Sequence, residues 1–184
     1  MRIISGTAKG RRLDVPKNDT VRPTTDRVRE ALFSSLGSKI QDAKILDLFA
    51  GSGSLGIESL SRNASHVTFI EKSKNTALLL KKNITGTGFE KESKVIICDA
   101  ISYLKRVTET KSEKFDLIFL DPPYRTTLLQ DCINMNNLID IININGIIIA
   151  EHPSDTLPEI NQNQQILRTK KYGNSTITTI GFIQ

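Results

Sequence analysis

Ile45-Leu46-Asp47-Leu48-Phe49-Ala50-Gly51-Ser52-Gly53-Ser54-Leu55-Gly56 decides the fold. Its apolar start has the length and character of a buried strand, and three glycines follow ahead of a helical stretch. Glycine is required where the chain turns sharply and a ligand must approach the backbone without Cβ atoms in the way. Glu71 lies twenty residues beyond Gly51, at the end of the next predicted strand. A carboxylate there accepts hydrogen bonds from both hydroxyls of a ribose. Strand, loop, helix, strand and acid in this order predict a nucleoside bound at the strand ends; a purely structural tight turn is the alternative.

Outward from this stretch, short apolar runs alternate with longer helical ones, the pattern of a parallel sheet wrapped by helices. The predicted strands are Lys44–Phe49, His66–Ile70, Lys94–Cys98, Phe115–Leu120 and Gly146–Glu151, with helices at Leu55–Ser61, Lys74–Ile84, Ala100–Val107 and Thr127–Ile142. Runs apolar on both faces suit a buried parallel sheet. Gln164–Tyr172 and Thr176–Ile183, joined through Gly173 and Asn174, read as an antiparallel hairpin. At the start, Arg2–Ser5 and Arg11–Val15 suggest a small hairpin around Gly6 and Gly10. A helix then begins at Thr24 or Thr25 and is stopped by Gly37. The expected class is α/β, with a basic extension over 1–21 and the main domain over 22–184.

A chain of 184 residues has the size of one domain with a single core. Charge is uneven: residues 1 to 30 carry eight Lys or Arg against four acids, +4 of the net +5. Such a segment suits a polyanionic partner, because each Lys or Arg on a phosphate releases condensed counterions; a solvated surface is the alternative. Cys98 and Cys132 lack C-x-x-C spacing and read as reduced, buried side chains of a cytoplasmic protein. His66 and His152 are isolated, so no metal is expected. The longest apolar runs are too short to span a membrane.

The spacing of the glycine loop fits a dinucleotide as well as S-adenosylmethionine, so other residues must choose. Asp47, inside a strand, is costly to bury unless its charge is paired, and the methionine end of a cofactor would supply the pairing. Asp99, after the third strand, is placed either to face an adenine amino group or to cap the helix that starts at Ala100.

Asp121-Pro122-Pro123-Tyr124, ending the fourth strand, is the most specific feature. Two prolines fix φ and remove two N–H donors, leaving a rigid turn rich in acceptors. An exocyclic amine on a base is a poor nucleophile because its lone pair is delocalised into the ring. Accepting its protons through the Asp121 carboxylate and the Pro122 carbonyl favours a pyramidal nitrogen. Tyr124 supplies a ring for stacking. A dehydrogenase has no need of this turn.

With Asp47-Leu-Phe-Ala-Gly-Ser-Gly-Ser-Leu-Gly-Ile-Glu58, Asp121-Pro-Pro-Tyr124 and Arg22-Pro-Thr-Thr-Asp-Arg-Val-Arg-Glu-Ala-Leu-Phe33 in view, the chain closely resembles the RsmD-type 16S ribosomal RNA (guanine-N2) methyltransferases over nearly its whole length. The glycine loop and proline turn occur in many amino-methyltransferases; the Arg-Pro-Thr segment followed by Arg-Val-Arg-Glu is narrower. The resemblance implies a seven-stranded Rossmann-like fold, a monomer, and methylation of guanine N2 at position 966 of the small-subunit RNA. It further implies that S-adenosylmethionine, leaving as S-adenosylhomocysteine, is held by Arg22, Thr24, Asp47, Phe49, Gly51, Ser52, Gly53, Gly56, Glu71, Lys72, Asp99 and Ala100. On this resemblance Arg2, Lys9, Arg11 and Arg12 grip the RNA of the small ribosomal subunit or its assembly intermediate. The competing readings are a DNA adenine methyltransferase, which needs more mass to read a sequence, and a non-catalytic ribosome-assembly factor. A protein glutamine methyltransferase typically carries Asn where this chain has Asp121.

Overall fold

A computed structural model describes residues 1–16, 26–124 and 126–183. The sheet contains β1 (Lys44–Asp47), β2 (His66–Glu71), β3 (Ser93–Ile97), β4 (Phe115–Leu120), β5 (Ile142–Pro153), β6 (Gln164–Tyr172) and β7 (Ser175–Phe182). Their order is β3-β2-β1-β4-β5-β7-β6, parallel through β5, with β7 antiparallel to both neighbours. The helices are α1 (Asp26–Leu36), α2 (Ser54–Ser61), α3 (Lys74–Thr87), α4 (Ala100–Thr110) and α5 (Leu128–Ile133). None of the described helices is long and apolar enough to cross a membrane.

The central strands are apolar over most of their length because helices cover both faces of the sheet. Alternation sends Ile45, Phe69 and Phe119 into a core shared with α1, α2 and α3. Leu46, Ile70, Ile118 and Ile148 enter a second core with α4 and α5. The helices that follow β1 and β2 thus lie on one face and those that follow β3 and β4 on the other. The winding reverses between β1 and β4, where a crevice opens at the carboxyl ends of the strands. Cys132 is buried and its thiol is pushed up to about 12 by burial; Cys98 is half-buried, and both are free thiols.

Three expectations need correction. β1 ends at Asp47, not Phe49, because Leu48 and Phe49 already belong to the turn, although the Leu48 N–H still donates to Phe119 O at 3.2 Å. The single helix expected over Thr127–Ile142 is instead α5 and a 3₁₀ turn at Asn136–Ile141. Asn134 and Met135 break it, and isoleucines favour the extended chain that follows. β5 accordingly starts at Ile142 and absorbs a bulge: Phe115 faces Ile142 but Leu117 faces Ile147, with Asn145 at φ 64°. The start of α1 expected at Thr24 or Thr25 lies outside the described residues; Gly37, at φ 53°, ends the helix.

The N-terminal segment forms a single antiparallel bridge, Arg2 to Arg12, rather than two full strands. It is seated on α2. The fully buried Glu58 carboxylate accepts the N–H groups of Ile4 at 2.7 Å and Ser5 at 3.1 Å, and pairs with Arg62 at 2.7 Å. Ser61 donates to Ser5 O and accepts from the Ala8 N–H. Gly6, at φ 84°, passes so close that a Cβ would lie 1.6 Å from Ser61 O. Ile3, Ala8 and Leu13 are buried in the core of α1 and α2. Arg29 clips the assembly from α1: fully buried, it donates to Arg2 O at 2.5 Å, Asp26 at 2.9 Å and Ser54 O at 3.4 Å.

Candidate active site

Register places the acids side by side along the carboxyl edge. Asp47 is level with Phe69 on one side and Phe119 on the other, and Glu71 is level with Ile97. Glu71 therefore stands two residues beyond Asp47's level, Asp99 two beyond Ile97, and Asp121 two beyond Phe119. Adjacent strands are about 4.8 Å apart. The glycine loop leaves β1 at the level where the proline turn is about to leave β4.

The loop is shaped from within. The Asp47 Oδ2 accepts the Gly56 N–H at 3.1 Å, so the pairing expected from a ligand is made in part by the backbone of α2. Burial, opposed by that bond and reinforced by the nearby Glu71 charge, raises the Asp47 carboxyl to about 7. Gly56 permits close packing, since a Cβ there would lie 2.2 Å from the Phe69 ring. Gly53, at φ 87°, starts α2 against Leu80. Gly51, at φ 54°, faces open space. Ser52 is half-buried and its carbonyl accepts from Asn83 Nδ2 at 2.9 Å. Phe49 is half-buried against the second core.

Glu71 braces the loop, accepting the Gly51 N–H at 3.0 Å through one oxygen and the Ser73 N–H at 2.7 Å through the other. An ionised carboxylate has about four acceptor positions, so capacity for two hydroxyl donors remains. Asp99 caps α4, accepting the Ser102 N–H at 3.2 Å, and Lys72 approaches it at 3.4 Å. The Ser102 N–H, with Lys72 assisting, holds the Asp99 carboxyl below its usual range. Both readings of Asp99 are thus compatible, because capping uses one oxygen and leaves it ionised beside Ala100. The glycine open to space, the braced carboxylate and the ionised Asp99 fit a nucleoside laid along the strand ends. Arg22 and Thr24 lie outside the described residues.

In the turn after β4, Asp121 is half-buried, Pro122 buried and Pro123 exposed. The Pro123 carbonyl accepts the Thr126 hydroxyl at 2.9 Å, so it is already engaged within the turn. Tyr124 is 41% exposed, which leaves surface for stacking. Its hydroxyl, for which sequence offers no role, reaches Glu151 Oε1 at 3.2 Å and Ser175 Oγ at 2.5 Å. Sequence reading missed both partners. The phenol is pushed up to about 12, chiefly by burial.

The expected RNA-binding residues divide. Arg2, Lys9, Arg11 and Arg12 are all exposed. Arg11 donates to the Gly86 carbonyl in the last turn of α3 at 3.1 Å, and Lys9 follows the residues packed on the end of α2. Both helices end at the edge where the strands begin, away from Asp121. Arg2 lies nearer the start of α2, through the contact of its carbonyl with Arg29, and bridges Arg12.

Comparison with known proteins accords with this geometry. A family model described as conserved hypothetical protein 95 matches residues 1–181. The ribosomal RNA small subunit methyltransferase D of Haemophilus influenzae is 38% identical over 174 residues, 94% of this chain and 89% of its own length. YlbH of Bacillus subtilis is 36% identical over 94% of each chain. The solved structure of yhhF from Escherichia coli superposes with a TM-score of 0.82 at 38% identity, covering 98% of this chain and 96% of its own. The chain belongs to the conserved hypothetical protein 95 family, together with the ribosomal RNA small subunit methyltransferase D proteins.

Proposed function

We propose that the protein, acting as a monomer, methylates N2 of a single guanine in 16S ribosomal RNA, position 966, in the small subunit or its assembly intermediate. The observation that carries the reading is Asp121-Pro-Pro-Tyr124 standing one strand from the glycine loop, its tyrosine ring anchored by Glu151 and Ser175. S-adenosylmethionine, when bound, supplies an electrophilic methyl group on a sulfonium. Glu71 holds the ribose, Asp99 and Ala100 face the adenine, and Asp47 with Arg22 and Thr24 serves the methionine end. Asp121 and the Pro122 carbonyl accept hydrogen bonds from the amine and orient its lone pair for in-line displacement, without a covalent enzyme intermediate. The one proton released from the methylated nitrogen passes to the Asp121 carboxylate. Tyr124 stacks on a guanine turned out of its helix, since the amine is inaccessible within a stack.

The test incubates the protein with labelled S-adenosylmethionine and small subunits from cells lacking the gene, then maps labelled nucleosides by mass spectrometry. N2-methylguanine at one site is expected. Label on another base overturns the assignment of the atom, and no label despite measured cofactor binding overturns the substrate.

A further inference from the structure

Positive charge also gathers at a place the N-terminal sequence does not indicate. Residues 164–183 contain Arg168, Lys170 and Lys171 and no acid. β6 is the outermost strand, and 165–171 are all exposed. Among the described residues none of these three cations is in an ion pair.

Their height matters. Through β7, Lys170 is level with Glu151 and Lys171 with His152, while Ala150 is level with Leu120. Both lysines therefore stand just beyond the level at which β4 gives way to Asp121. Three strand spacings, roughly 14 Å, separate β6 from β4. Tyr124 bridges much of that span, for its hydroxyl touches Ser175, the residue opposite Tyr172. The Lys170 ammonium lies 5.2 Å from the centre of the Tyr172 ring, so it leans toward the catalytic edge. Alternation puts Lys170 and Lys171 on opposite faces, one on each side of the open rim.

We propose that the β6 rim, through Lys170 and Lys171 with Arg168 below them, holds the RNA backbone next to the target nucleotide. The proposal rests on RNA being the substrate. A base drawn from its stack needs its flanking phosphates held close to the pocket, and among the described residues this rim presents cations free of ion pairs at the level of the proline turn. Lys9 and Arg11, on the ends of α2 and α3, are placed for more distant contacts.

The test compares Lys170→Ala/Lys171→Ala with Lys91→Ala/Lys114→Ala, which removes equal charge from exposed residues preceding β3 and β4 at the opposite edge. Binding to undermethylated small subunits is measured against salt, and S-adenosylmethionine binding is measured for both variants and the parent. The rim variant is expected to lose about tenfold in affinity and to flatten the log–log salt slope by about 1.5, with cofactor affinity unchanged and the matched variant close to the parent. Equal losses in both variants overturn the proposal, because total charge then suffices. An unchanged slope accompanied by self-association also overturns it, since the lysines then only keep an open edge from pairing. If the parent protein binds no subunit, the substrate reading fails first, before either variant is compared.

Discussion

Tyr124 donates its hydroxyl hydrogen to Glu151 at 3.2 Å, tying the proline turn after β4 to the nearly buried end of β5. Ser175 completes the pair from β7, so a ring that loop flexibility would leave loose is fixed on two strands. Tyr124→Phe keeps the stacking face and loses both bonds. We expect kcat/KM to fall about 5- to 20-fold with cofactor affinity unchanged, whereas Tyr124→Ala loses more, since stacking is worth about 1 to 3 kcal/mol. With the phenol pushed up to about 12, it stays protonated across the working range, and a pH–rate profile should show no alkaline loss of activity from this group below pH 10.

Asp121→Ala should abolish methyl transfer while leaving S-adenosylmethionine binding, measured by calorimetry, nearly intact. A parallel collapse of cofactor affinity would assign Asp121 to the cofactor rather than the amine.

Glu71→Ala removes the acceptor of the Gly51 N–H together with the proposed ribose contact. Cofactor affinity should drop about 10- to 100-fold, as for hydrogen bonds to a charged group. Glu71→Gln retains one acceptor oxygen and should lose less; equal losses would mean that the negative charge itself does the work.

Asp47 gives stability a pH dependence of definite sign. Its folded-state pKa, about 7, exceeds the unfolded 3.8, so the protein carries no penalty below the lower value. Stability then falls as pH rises from about 4 to about 7 and levels off above, by on the order of 4 kcal/mol in all. Asp47→Asn keeps an acceptor for the Gly56 N–H and should flatten this dependence in urea titrations at pH 5 and pH 8. A slope identical to the parent's would place the titration elsewhere.

Gly6→Ala forces a Cβ onto Ser61 O at a positive φ. The segment must lift from α2, exposing Ile3, Ala8 and Leu13, at a cost of about 2 to 4 kcal/mol. Thermal unfolding should move down by about 5 to 10 °C. An unchanged Tm would mean that the segment does not contribute to the cooperative unit.

The sheet and the row of acids were legible because they depend on local order: a strand, a glycine loop, and carboxylates at strand ends whose positions follow from the chain's own periodicity. β4 was read to the residue for that reason. The partners of Tyr124 were not legible, since Ser175 lies 51 positions downstream and meets the ring only through the pairing of β7 with β5. Arg29 left a trace: it shares its helical stripe with Leu32, Phe33 and Leu36, the stripe that α1 buries. A charged residue on an apolar face signals a buried clip, although its carbonyl partner on Arg2 could not be named from sequence. The break after α5 was missed because Leu128 to Ile142 keeps a helix-compatible apolar spacing through asparagines that end the helix.

β7 is threaded between β5 and β6, which precede it in the chain. A ribosome therefore releases β6 before the strand that attaches it exists, and the rim waits as loose chain until β7 slots into the gap. The hydroxyl that steadies Tyr124 arrives on that same strand. Completion of the candidate site is consequently coupled to the pairing of β7 with its two neighbours, and nascent protein halted before β7 holds the Asp121-Pro-Pro-Tyr124 turn but neither its brace nor the adjoining cationic strand in place.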